Sequence, residues 1–73
     1  MMVERALPGA WVGYRLEDLE VAAKLKIVAL TRAGKAVLPK PGTVGQENDL
    51  LYVAVTVEGL EGLEERLRLG PRS

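Results

Sequence analysis

With no cysteine, no histidine and a single serine at its last position, this 73-residue chain has few ways to perform covalent chemistry. Nucleophilic catalysis requires a nucleophile beside a base, and what remains is Thr or Tyr next to a carboxylate or a lysine. A transition-metal site would have to be made of carboxylates alone, a poor set for zinc or copper. Two adjacent carboxylate pairs exist, Glu17 with Asp18 and Glu64 with Glu65, but each falls on the polar side of an amphipathic segment, where charges are normally solvated. "AGKA", Ala33 to Ala36, has a Gly-Lys pair but lacks the upstream glycine and the following Ser or Thr of a phosphate-binding P-loop, so it reads as a hairpin turn. "GLEG", Gly59 to Gly62, opens a helix as an anion site would, yet Glu58, Glu61 and Glu64 around it repel an anion. These residues indicate a protein that is not an enzyme and carries no cofactor.

Binding is better represented than catalysis. Trp11 and Tyr14 flank Gly13 and either line a surface or cap the edge of a small core. Arg32 ends an apolar stretch with Lys35 just across a turn, a place to hold an anionic ligand, although a strand-end arginine that snorkels to water looks the same in sequence. Under the ligand reading, Arg32→Ala leaves the fold intact and removes the ligand.

The elements that must position these groups are legible from periodicity. Met2 to Leu7 reads as an edge strand closed by Pro8-Gly9. Leu16, Leu19 and Ala23 fall at helical spacing, which predicts a short amphipathic helix covering at least Arg15 to Glu20. "KIVALTR", Lys26 to Arg32, turns at Ala33-Gly34 into Lys35 to Pro39, a hairpin whose ladder stops at Pro39 and Pro41 because proline has no amide hydrogen. Strict alternation places Lys26, Val28, Leu30 and Arg32 on one face and Ile27, Ala29 and Thr31 on the other. Gly42 to Asn48 is then an exposed connection to "LLYVAVTV", Leu50 to Val57, the clearest strand. Both long strands carry apolar residues on both faces, as central strands covered on two sides do. Leu60, Leu63 and Leu67 form the apolar stripe of a terminal helix, with a Glu64 and Arg68 pair at i, i+4 and a stop at Gly70-Pro71. The sum is a small α+β fold: a mostly antiparallel sheet of about four strands with two helices, in the order strand, helix, strand, strand, strand, helix, forming one domain over residues 1–73 with a tail at 70–73.

Composition narrows the partners. Ten basic and ten acidic residues cancel, which leaves no field for a phosphate backbone, so nucleic acid is not expected. No apolar run approaches the roughly 20 residues of a membrane span and no signal-peptide layout opens the chain, so a cytoplasmic location without membrane insertion is expected. One Asn, one Gln, one Ser and no Cys lean toward a thermophilic source. A chain this short gains from oligomerisation, here as a homodimer burying apolar strand or helix surface.

Three stretches, "GYRLEDLEV" (Gly13 to Val21), "IVALTRAGKAVLPKPGTV" (Ile27 to Val44) and "ENDLLYV" (Glu47 to Val53), together resemble the TrkA-C, or RCK-C, domain, the C-terminal regulatory module of potassium uptake systems and related cation transporters. The resemblance runs from about Val3 to Leu67. It implies a dimeric α+β domain whose copies meet through sheets and helices. In members that bind cyclic di-AMP it implies a pocket whose matching positions here are Val28, Leu30, Arg32, Val37 and Pro39; Lys35 is added from its charge alone. Where the family usually places a glycine with positive φ before Asp49, this chain has Asn48, which tolerates that conformation better than other residues with a side chain. Asp49 is expected to hold the turn through local hydrogen bonds. Nothing resembles the G-x-G-x-x-G of a nucleotide-binding domain, so NAD and ATP are not carried over.

The resulting expectation is a non-catalytic regulatory module of a potassium or other cation transport system, acting as a dimer and binding a small anionic effector such as a cyclic dinucleotide. Its partner is a membrane channel or transporter subunit, and the module works either free-standing or beside a separate nucleotide-binding subunit. The alternative is a dimerisation adaptor with no small ligand.

Overall fold

The alternation in "LLYVAV" sets the architecture. In the computed structural model, which describes residues 1–71, Leu50–Val55 is strand β4, and Leu51, Val53 and Val55 are buried while Leu50, Tyr52 and Ala54 are half-buried. Strands β1 (Met2–Ala6), β2 (Leu25–Arg32) and β3 (Lys35–Val37) complete an antiparallel sheet in the order β1-β4-β2-β3, so the two most apolar strands are the central ones. The β2–β3 hairpin turns at Ala33 and Gly34, both at positive φ, the geometry that matches a two-residue turn to strand twist.

One helix, α1 (Val57–Leu69), covers one face of the sheet. Thr56 caps it by accepting the Gly59 amide at 3.0 Å, Leu63 and Leu67 are buried, and Gly70 at φ 84° ends it before Pro71. Of the expected tail, Arg72 and Ser73 lie outside the described residues. Glu64 does not pair with Arg68 as the i, i+4 spacing predicts; its carboxylate takes the Nε of Arg5 on β1 at 2.6 Å and ties the helix to the edge strand. Gly59 lets α1 approach the chain before β2, since a Cβ there would stand 2.7 Å from the Lys24 carbonyl oxygen. Gly62 has open space where its Cβ would be, so nothing inside the chain repays the roughly 0.8–1.0 kcal/mol that glycine costs a helix relative to alanine.

The expected helix from Arg15 to Glu20 is a single 3-10 turn, Leu16–Leu19, and another turn covers Gly9–Trp11. Four residues suffice to bury both Leu16 and Leu19, and the backbone is extended again at Glu20. Trp11 is a core residue, with its Nε1 donating to the Arg66 carbonyl at 3.1 Å and its ring meeting Tyr14 edge-on. The described structure thus has one α-helix, where periodicity called for two.

The second correction concerns β2. Its register against β4 runs Ile27↔Val53 and then Ala29↔Tyr52, leaving Val28 as the extra residue of a β-bulge. The bulge breaks the alternation, so the core face is Leu25, Ile27 and Leu30, not Val28 with Leu30. The opposite face of the sheet, with Ala29, Thr31, Leu50, Tyr52 and Ala54 half-buried, has no helix or strand over it among the described residues, so within them the expectation that both faces are covered does not hold.

Candidate functional site

The two ends of β2 present two different polar sites. At its C-terminal end Arg32 points its guanidinium at Asp49, donating from Nε to Oδ1 at 2.9 Å and from Nη2 to Oδ2 at 2.8 Å; Nη2 also reaches the Val44 carbonyl at 3.1 Å. The Asp49 side chain is fully buried and that of Arg32 is 26% exposed. Oδ2 also accepts the Gln46 amide at 2.8 Å, the local bond expected of this aspartate. The bidentate bond from Arg32 holds the Asp49 carboxyl below the usual carboxylate range, with help from the Gln46 amide and against the burial that pushes it up. The same bond raises the arginine above its ordinary value.

This clamp closes the connection Gly42 to Asn48, which is exposed as expected except at the half-buried Thr43 and the buried Gly45. Thr43 and Gly45 exchange backbone hydrogen bonds with Gly13, Tyr14 and Leu16, and Gly45 is buried where a Cβ would strike Leu7 at 2.7 Å. Asn48 has φ 70°, the conformation anticipated for it, and it delivers Asp49 to the clamp.

At the other end β3 stops at Val37, and Pro39 and Pro41 cannot continue it, so the first half of β2 has no strand neighbour on that side. Glu20 fills part of the gap, its Oε2 accepting the Ile27 amide at 2.9 Å as a neighbouring carbonyl would. Glu17 braces the far wall, with Oε1 accepting the Gly42 amide at 3.1 Å. Between these braces lies a cleft of about 390 Å³ with Leu16 and Ile27 at its base, Val28, Pro39 and Pro41 along its walls, and Lys26 and Lys40 at its rim. Neither lysine has an ion-pair partner among the described residues, whereas the two glutamates already hold backbone amides.

Of the six positions singled out in the sequence, the structure brings Val28 and Pro39 together in this cleft. Leu30 is fully buried beneath the sheet, Val37 packs half-buried against the core, Arg32 is engaged by Asp49, and Lys35 is exposed opposite Arg32 beside the hairpin turn. Lys26, Lys40, Glu17 and Glu20 were not anticipated. The two prolines after β3 were the available signal for the gap, but which cations flank it depends on a register that the bulge resets. Among the described residues there is no cluster of three metal-ligating side chains, and no helix is long and apolar enough to cross a membrane.

Comparison with known proteins agrees with this architecture. The model of the TrkA-C domain family matches residues 2–68. A Trk system potassium uptake protein TrkA from Streptomyces coelicolor is 32% identical over 62 residues, which are 85% of this chain; the chain spans about 28% of that relative's length. Among solved structures, an RCK domain with "cda" superposes with a TM-score of 0.74 at 18% identity, covering 90% of this chain and 96% of the other. A GsuK channel bound to NAD superposes with a TM-score of 0.68 at 21% identity, covering 96% of this chain and 13% of the channel protein. At these identities the two structures speak for the fold alone. The family match runs along nearly the whole chain and the superpositions agree on the fold, and the chain belongs to the TrkA-C domain family.

Proposed function

We propose that this chain is a non-catalytic, cytoplasmic regulatory module of a potassium or other cation transport system, and that it receives a small phosphate-bearing effector in the cleft beside β2. The carrying observation is the pairing of apolar walls, Val28, Pro39 and Pro41, with two uncommitted ammonium groups, Lys26 and Lys40. Flat rings pack on such walls and phosphate oxygens take charge-assisted hydrogen bonds from such cations. Leu30 lies in the core and Val37 packs against it, and neither lines the cleft. Arg32 acts as a positioning residue: through Asp49 it anchors the connection that carries Pro39, Lys40 and Pro41. Lys35 adds positive potential at the hairpin. The "cda" of the similar RCK domain and the potassium uptake role of the similar TrkA support the same reading. The partner is a channel or transporter subunit, reached directly or through a nucleotide-binding domain.

Melting in the presence of cyclic di-AMP tests the site. A ligand at 100 times its dissociation constant adds about 2.7 kcal/mol, which in a domain this small raises Tm by about 10 °C or more. Lys26→Glu and Lys40→Glu are expected to abolish the shift. A shift that persists in both variants places the ligand elsewhere, and no shift in the wild-type protein with any nucleotide removes the effector.

The half-buried sheet face formed by Ala29, Thr31, Leu50, Tyr52 and Ala54 favours the second reading, a dimerisation module without a ligand. Both readings require a dimer over this face, and a well-folded monomer at micromolar concentration in sedimentation would overturn it.

A further inference from the structure

The charges that line the cleft beside β2 cancel. Lys26 and Lys40 stand at its rim, Glu17 and Glu20 belong to the same lining, and no other ionisable side chain among the described residues joins them. Arg15 lies 3.8 Å from Glu17, but it is shared with Asp18 at 3.7 Å, is mostly exposed and does not line the cleft. A hydrogen bond to an amide occupies a lone pair of a carboxylate without neutralising its charge. Glu20 accepts the Ile27 amide at 2.9 Å and Glu17 the Gly42 amide at 3.1 Å, and the neutral oxygen of a glutamine can accept such a bond too. Both braces therefore carry a negative charge where the backbone requires only an acceptor.

That surplus charge acts on what enters. A phosphate diester carries a single negative charge, whereas a phosphate monoester carries about 1.5 to 2 near neutral pH. Each ammonium group can take one diester. The extra charge of a monoester has no cation left to meet and faces the two carboxylates, in a cleft where like charges repel more strongly than in bulk water. We propose that Glu17 and Glu20 are specificity-determining residues, which make the cleft take phosphate diesters and exclude terminal phosphate monoesters. The inference rests on the effector reading of this cleft and adds the class of phosphate it receives.

Cyclic di-AMP and linear 5′-pApA test it, because they share both adenosines and differ by a terminal monoester in place of one diester. Calorimetry on the wild-type protein should show at least about tenfold tighter binding of the cyclic compound at low salt. Raising the salt from about 0.05 M to about 0.5 M screens charge and leaves shape unaltered, so the ratio should shrink to about threefold or less. Glu17→Gln and Glu20→Gln, each keeping an oxygen for its amide, should narrow the low-salt ratio by about threefold apiece, chiefly by tightening the linear ligand. Should either variant fold poorly, the salt series needs no variant. A ratio unchanged in both variants, or one that persists at high salt, would overturn the proposal, since shape would then do the selecting. If neither compound binds the wild-type protein, the effector reading itself falls and takes this inference with it.

Discussion

Arg32 and Lys26 stand near opposite ends of one strand, and their fates differ because of what each meets. Arg32 meets a buried carboxylate brought from another part of the chain, and its charge is consumed in holding the fold together. Lys26 meets a cleft whose carboxylates are already bonded to backbone amides, and its charge stays available. A cation beside apolar surface therefore says little about binding until its acid partners are accounted for. A planar, five-donor guanidinium suits the buried, bidentate task, and a flexible ammonium suits a rim that meets ligands.

The comparison breaks hardest at the clamp. Removing one member of a buried ion pair leaves the other charge uncompensated at a cost of about 3–5 kcal/mol. Arg32→Ala and Asp49→Ala should each destabilise the domain by that order in urea melts, a large part of the roughly 4–11 kcal/mol available to 73 residues. This reverses the expectation that Arg32→Ala leaves the fold intact. A stability unchanged within about 0.5 kcal/mol would return Arg32 to the list of ligand residues.

Acid should find the same clamp. Because the folded-state pKa of Asp49 is depressed, its contribution is complete above the unfolded pKa, near 4, and drains away as pH falls through the lower folded value. In that window the unfolded chain binds more protons than the folded one, so stability falls with falling pH. The slope between pH 4 and 2 should be distinctly shallower in Asp49→Asn than in the wild-type protein; identical slopes would mean that the carboxylate is not held by Arg32.

The turn that delivers Asp49 offers a smaller effect. Asn48→Val, a β-branched residue forced to φ 70°, should cost about 1–2 kcal/mol, whereas Asn48→Gly should be neutral or slightly stabilising. Equal midpoints for the two variants would contradict the left-handed conformation at this position.

At the open end the effect on stability should be smallest. Lys26→Glu and Lys40→Glu should change stability by no more than about 0.5 kcal/mol while eliminating effector binding in calorimetry. A loss comparable to that of the clamp variants would erase the distinction between the two ends of β2.

Much of this was legible in one dimension. The resemblance to the family pointed to positive φ at Asn48; alternation from Leu50 identified the central strand, although it ends at Val55 and Val57 opens α1, Ala33-Gly34 identified the hairpin, and the prolines at 39 and 41 marked where its ladder stops. Each is a local property, set by side-chain sterics and by which backbone donors exist. The Leu16 and Leu19 spacing also fits a 3-10 turn, so the helix expected there needed the surrounding packing to be ruled out. Tertiary structure alone decided three matters: the bulge at Val28 that moves Leu30 to the core face against alternation, the partnership of Arg32 with Asp49, and the commitment of Glu17 and Glu20 to the amides of Gly42 and Ile27. Each depends on atoms from distant segments meeting within hydrogen-bond reach, which no local pattern encodes. The separation between the paired and the available cations on β2 arises only from that meeting.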